Sequence, residues 1–197
     1  MNNPFPIASP CPLPGRSLVL VGLMGAGKTS VGRRVAARLG LPFVDADQEI
    51  ERAAALSVEE IFARHGESAF RDGERRVIAR LLNGPVHVLS TGGGAFIDPA
   101  TRAIVREKGI SIWLKVDVEE LVRRVSRRTN RPLLKDADPR VVLERLVAER
   151  YPAYGEADIV VRTGDGSADN AAEQVVGAVA RHLADRPDRA QPQEFPA

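Results

Sequence analysis

Cysteine is almost missing from this chain. Cys11 stands alone among 197 residues, so no disulfide framework can hold the fold, and a reducing setting, the cytoplasm, is expected. Histidine is nearly as sparse. His65, His87 and His182 lie far apart with no Cys or acid at zinc spacing, which argues against a zinc centre. No run approaches the roughly 20 apolar residues of a membrane span. The start, Asn2 to Gly15, carries five prolines and lacks the apolar core of a signal peptide. Charge of one sign is lacking too. The 28 basic and 26 acidic residues leave a net +2 and are well mixed, so no strong field toward nucleic acid or a membrane is built. Neither is an expected partner, and a monomer is the expected state.

A chain of this length can bury roughly 70% of its unfolded surface, enough for one domain without staples. Residues 1–16 and 185–197 are proline-rich or polar and read as disordered tails, leaving a single domain over 17–184. Inside it, short apolar runs alternate with helical patterns. Ser17 to Val21, Pro42 to Asp45, Val86 to Ser90, Ile110 to Val116 and Asp158 to Arg162 read as five strands. Ser57 with Glu60 and Asp117 with Glu120 read as capping boxes, while Asp98-Pro99 and Asp138-Pro139 pair a cap with proline at the first helical position. Strands that are apolar on both faces and separated by helices imply an α/β fold, a three-layer α/β/α arrangement around a five-stranded parallel sheet. Such sheets bind ligands at the carboxyl ends of their strands.

The strand ends are therefore where the chemistry is expected. The first runs into Gly22 to Thr29, GLMGAGKT, which matches the phosphate-binding pattern G-x-x-x-x-G-K-[ST]. Val31, Val35, Ala36 and Leu39 continue it with helical spacing, so strand, loop and helix follow in the order the motif requires. Gly25, Ala26, Gly27, Lys28, Thr29 and Ser30 are the expected nucleotide-binding residues. Lys28 would reach the β- and γ-phosphates and Thr29 would ligate Mg²⁺. The second strand ends in Asp45-Ala46-Asp47 and the third in Thr91 followed by Gly92, Gly93 and Gly94. Either aspartate could simply cap the next helix, and the glycines could form a plain turn. Three glycines in a row also suit a wall that a ligand approaches closely. The third strand lacks the acid that often holds the metal in P-loop enzymes, so Asp45 is assigned to Mg²⁺ and Asp47 to the attacking hydroxyl.

Taken together, GLMGAGKTSVGRRVA, DAD, FRDGE (Phe70 to Glu74), TGGGA, RPLL (Arg131 to Leu134) and ERYPAY resemble the shikimate kinase family from about Ser17 to about Leu183. The resemblance implies the fold of the nucleoside-monophosphate kinases, with a helical substrate-binding segment near 46–82 and a mobile lid near 127–139. It implies phosphoryl transfer from ATP, with Mg²⁺, to the 3-hydroxyl of shikimate on the route to aromatic amino acids. Carried over position by position, it places Asp47, Arg71, Gly92, Gly93, Gly94 and Arg150 around shikimate. Arg71 and Arg150 can grip a carboxylate through planar forks, although Arg71 could also be a surface charge paired with Glu67 or Glu74. Glu74 is expected to orient Arg71. The resemblance makes Arg131 the lid residue that neutralises charge on the transferring group and makes Arg124 the partner of the adenine ring. The loop that completes the adenine pocket, Thr163 to Asn170, lacks the proline usual in the family. Trp113 is expected in the core, and Ser90, Tyr151 and Tyr154 in packing or hydrogen bonding only. Two rivals remain open: a gluconate kinase-like enzyme, and a regulatory nucleotide-binding module without turnover.

Overall fold

A computed structural model describes residues 13, 15–126, 138–164 and 166–185. Five strands form one all-parallel sheet: β1 (Ser17–Val21), β2 (Phe43–Asp45), β3 (Val88–Ser90), β4 (Gly109–Lys115) and β5 (Ile159–Arg162), in the order β2-β3-β1-β4-β5. Leu20 is level with Ser90 on one side and with Ile112 on the other. The central strand β1 is buried along its whole length, as a strand covered on both faces must be.

The helices are α1 (Lys28–Leu39), α2 (Ala46–Ala54), α3 (Val58–Leu82), α4 (Pro99–Lys108), α5 (Val118–Ser126), α6 (Pro139–Tyr154) and α7 (Ala168–Asp185), with a 3-10 turn at Ala95–Ile97. Helices α1 and α7 pack on each other, while α4 packs on α3 and β4. Right-handed crossovers in this strand order place α1 on one face, where α7 packs against it, and the other connections on the opposite face. The main core runs through Leu18, Leu20, Leu89, Ile112 and Leu143. Truncating any of these to alanine should cost about 2–5 kcal/mol.

Helix starts follow the expected chemistry. Ser57 and Glu60 close a reciprocal capping box at α3, and Asp98 and Asp138 cap α4 and α6 ahead of proline. Glu120 gives its two carboxylate oxygens to Arg123 at 2.6 Å and Arg124 at 2.5 Å, a different use from the box expected with Asp117. Helix α3 is broken at Gly66, whose φ of 78° is left-handed and suits glycine. Helices α2 and α3 share a separate small core of Ile50, Ile61, Phe70 and Val77, so the expected substrate-binding segment is a packed unit on the sheet edge.

The folded body begins before residue 17. Leu13 packs on the core, and Arg16 donates to the Arg106 carbonyl at 2.6 Å and to that of Gly109. At the other end α7 reaches Asp185. The rest of both expected tails, and the lid residues 127–137, lie outside the described residues. Among the described residues no helix is long and apolar enough to cross a membrane.

Candidate active site

The carboxyl ends of β1, β2 and β3 meet around one cleft of about 1080 Å³, room for more than one small ligand. On its floor is the loop between β1 and α1. Gly25 and Gly27 have φ of 82° and 90°, values that side chains resist, and these turns lay the loop around the start of α1. The first turn of a helix leaves N–H groups that no carbonyl can reach, which is an anion site. Lys28 is only 8% exposed. Its Nζ donates to the carbonyls of Gly22 at 2.8 Å and Leu23 at 3.0 Å, so the ammonium is folded over the rim of the loop.

Beside Lys28, the Thr29 hydroxyl donates to Asp45 Oδ2 at 3.0 Å and lies 3.4 Å from Ser90 Oγ. The other Asp45 oxygen accepts the Asp47 N–H at 3.2 Å and caps α2. Asp45 thus caps a helix, the reading open to either aspartate, with one oxygen, while its other oxygen faces Thr29. These oxygens suit a hard cation such as Mg²⁺. Among the described residues no three His, Cys, Asp or Glu side chains cluster to hold a metal unaided. An ion here would therefore depend on Thr29, Asp45, water and ligand oxygens.

The adjoining wall is the run Gly92, Gly93 and Gly94, and each glycine stands against a different side chain. A β-carbon on Gly92 would come within 2.8 Å of Asp47 Oδ1 and 2.9 Å of Glu74 Oε1. One on Gly93 would lie 3.4 Å from Arg150 Nη1, and one on Gly94 would fall 2.4 Å from Arg71 Nη2. The glycines are not a plain turn: they make room for an aspartate, a glutamate and two arginines at once. Arg71 is held by Glu74 at 2.7 Å and Glu67 at 3.2 Å, so it has the helix-surface partners foreseen for it and still reaches the wall. Arg150 donates to the Gly93 carbonyl at 3.0 Å.

The electrostatics are those of a site arranged for a charged ligand. Glu74 is 2% exposed, and its Oε1 has no hydrogen-bond partner. Burial, reinforced by Asp47, outweighs the pull of Arg71 and holds the Glu74 carboxyl above its ordinary range. Burial also raises Asp47, with repulsion from Asp45 adding to it and Lys28 opposing it. Carboxylates raised in a cleft beside cations are a common mark of functional sites.

On the far side of the phosphate loop, Arg124 is held by its edges. Nε donates to Glu120 at 2.5 Å, Nη1 to the Gly25 carbonyl at 3.4 Å and Nη2 to the Gly164 carbonyl at 2.6 Å. A guanidinium fixed by its edges keeps its flat faces for stacking.

Known proteins share this sequence and fold. A family model described as shikimate kinase matches residues 24–180. A shikimate kinase of Caulobacter vibrioides is 64% identical over 154 residues, covering 78% of this chain and 77% of that one.

The chain belongs to the shikimate kinase family.

It is thereby one of the ATP-dependent kinases. A shikimate kinase from Acinetobacter baumannii, solved in complex with shikimate, superposes with a TM-score of 0.81 at 37% identity, covering 87% of this chain and 94% of that one. A gluconokinase from Sinorhizobium meliloti matches with a TM-score of 0.61 at 17% identity, a likeness of fold alone.

Of the residues singled out from sequence, Gly25, Ala26, Gly27, Lys28, Thr29, Ser30, Asp45, Asp47, Gly92, Gly93 and Arg124 all line the one cleft. Arg71, Arg150 and Gly94 frame its glycine wall. Arg131 lies outside the described residues. Three contributors were not foreseen. Ser90 stands beside Thr29, Glu120 anchors Arg124, and Tyr154 donates to the Gly93 carbonyl. Alternation along β3 could have aimed Ser90 at the cleft, whereas nothing local ties Tyr154 to a loop some 60 residues away. Trp113 is in the core as expected, 5% exposed and edge-on to Tyr151 at 4.8 Å.

Proposed function

We propose that this chain transfers the γ-phosphoryl group of ATP to the 3-hydroxyl of shikimate, with the acceptor bound against Gly92, Gly93 and Gly94. The observation that carries this reading is the convergence of Arg71 and Arg150 on successive glycines beside Asp47, next to the phosphate loop. Shikimate is a carboxylate on a hydroxylated ring. Two guanidinium forks supply the grip for the carboxylate, and a half-buried aspartate supplies an acceptor for the hydroxyls.

The protein's part is positioning and charge neutralisation. The N–H groups of the loop and of the first turn of α1 cradle the phosphates, and Lys28 turns from the carbonyls of Gly22 and Leu23 to the transferring oxygens. Thr29 and Asp45 would hold Mg²⁺, which supplies further neutralisation of phosphate charge when bound. Asp47 aligns the acceptor hydroxyl and takes its proton as the new bond forms. A raised Asp47 carboxyl is the better base, because its basicity lies nearer the working pH. Arg131 is assigned to the transferring group from its RPLL motif alone. Arg124 offers its faces to adenine. We place the enzyme in the cytoplasm as a monomer, without nucleic acid or membrane as a partner.

A coupled ADP-release assay with a panel of small hydroxy-acids tests this reading. ADP release that depends on shikimate, with gluconate at least 100-fold poorer in kcat/KM, is the expected result. Equal use of gluconate, or ADP release indifferent to any acceptor, would remove it.

A further inference from the structure

Tyr154 is fully buried at the end of α6, and its hydroxyl donates to the Gly93 carbonyl. Arg150, one turn earlier on the same helix, donates to the same oxygen at 3.0 Å. One carbonyl of the glycine wall thus takes two hydrogen bonds from a single helix. The neighbouring carbonyls are used within the loop, Gly92 accepting from Ala95 N–H at 3.3 Å and Gly94 from Ile97 N–H at 3.0 Å. A peptide group is planar, so fixing its C=O also fixes the N–H on its other side. Holding the Gly93 carbonyl therefore aims the Gly94 N–H, while the loop bond of the Gly92 carbonyl aims the Gly93 N–H. Among the described residues no acceptor takes either N–H.

Arg150 has two claims on it. In the ligand-free chain it serves the Gly93 carbonyl, yet the proposed function asks the same guanidinium to fork onto a carboxylate. A carbonyl abandoned in a largely buried wall carries a penalty. Tyr154 removes that conflict. Its ring is walled in by Trp113 at 5.8 Å and Tyr151 at 6.2 Å between centroids. Burial pushes its hydroxyl up to about 12, so it remains a donor throughout the working range.

Resting on the reading of this wall as the acceptor site, we propose that Tyr154 is a positioning residue for acceptor binding. It keeps the Gly93 carbonyl bonded when Arg150 turns to the acceptor's carboxylate, and so preserves the aim of the Gly94 N–H. Tyr154 touches no reacting atom. Its effect appears in the acceptor complex, because in the ligand-free chain Arg150 still serves the carbonyl.

The test is Tyr154→Phe, which keeps the ring and deletes the hydroxyl. KM for shikimate should rise roughly 3- to 10-fold, the range for one lost hydrogen bond. kcat and the KM for ATP should stay within twofold, and the thermal midpoint of the unliganded protein should move little. Tyr151→Phe is the control. It removes a hydroxyl from the same helix that donates to the Val116 carbonyl at 2.8 Å, and it should leave the shikimate KM within twofold. An unchanged shikimate KM in Tyr154→Phe overturns the proposal. So does a parallel rise in both KM values with a fall in the unliganded midpoint, which is the signature of a purely structural role. A parent that does not phosphorylate shikimate overturns the site reading together with this one, whereas an active parent with an unmoved variant overturns only the role of Tyr154.

Discussion

Replacing Gly94 by alanine would put a methyl group where the site has no space. A β-carbon there would stand 2.4, 2.5 and 2.6 Å from Nη2, Nη1 and Cζ of Arg71. The backbone at Gly94, φ −101° and ψ −16°, is open to alanine without strain, so the perturbation acts on the guanidinium. That group is not free to swing. Nη1 is 2.7 Å from Glu74 Oε2, and the Glu74 side chain is 2% exposed with its second oxygen already without a partner. Losing a hydrogen bond to a charged group costs about 1.5–3 kcal/mol. Taken from the acceptor complex, that is a rise in the shikimate KM of roughly 10- to 100-fold. The KM for ATP should stay within twofold, because the three atoms nearest the added methyl all belong to Arg71. Gly93→Ala gives an internal comparison: its nearest neighbour, Arg150 Nη1, is at 3.4 Å, so the shift should be smaller. Steady-state ADP release with each substrate varied in turn reads all of these. A shikimate KM within threefold of the parent in Gly94→Ala, or equal rises for both substrates, would refute the placement of Arg71 at the acceptor.

The remaining predictions concern charge. Burial raises Asp47 above 3.8 and Glu74 above 4.5, so the folded chain holds these protons more tightly than the unfolded one. The stability they contribute is full below the ordinary carboxylate range and lost as pH rises through the folded values. Unliganded Asp47→Asn should therefore melt higher than the parent at neutral pH but not in acid, while turnover falls by about 100-fold or more; equal midpoints at both pH values would contradict the burial argument. Asp45→Asn should raise the Mg²⁺ concentration for half-maximal activity several-fold while α2 stays intact, since asparagine caps as well as aspartate, and an unchanged Mg²⁺ dependence would dismiss the metal assignment. Arg131→Ala should lower kcat on the order of 10³-fold; a change under about threefold in turnover and ATP affinity would remove that assignment.

What could be read from sequence was whatever is encoded locally. Four of the five strands match expectation to within a residue at both ends, because an apolar run beside a turn specifies a strand by itself. The phosphate loop is legible because its glycines, lysine and threonine are adjacent. Val86 and His87 were expected to lie in β3, yet that strand begins at Val88. His87 instead accepts the Leu18 N–H through its backbone and meets Ser17 Oγ at 3.2 Å, a pairing across 70 residues. The break at Gly66 escaped because the helical pattern continues on both sides of it. For Asp45, the cap open to either aspartate is made with one carboxylate oxygen, and the other, turned to Thr29, is not spent on it. Glu74 was legible as the partner of Arg71. Its near-complete burial was not, because that comes from the glycine wall folding onto it. Tyr154 shows the same limit, since its partner lies in a distant loop.

The central claim is that Arg71 and Arg150 seize the acceptor by its carboxylate. The most direct measurement compares shikimate with its methyl ester, as kcat/KM, in the parent and in Arg71→Ala and Arg150→Ala. The parent should favour the free acid by roughly 100-fold, the worth of charge-assisted bonds totalling about 3 kcal/mol, and each variant should compress that preference below about tenfold. A preference for the acid that survives in both variants would mean that the carboxylate is held elsewhere.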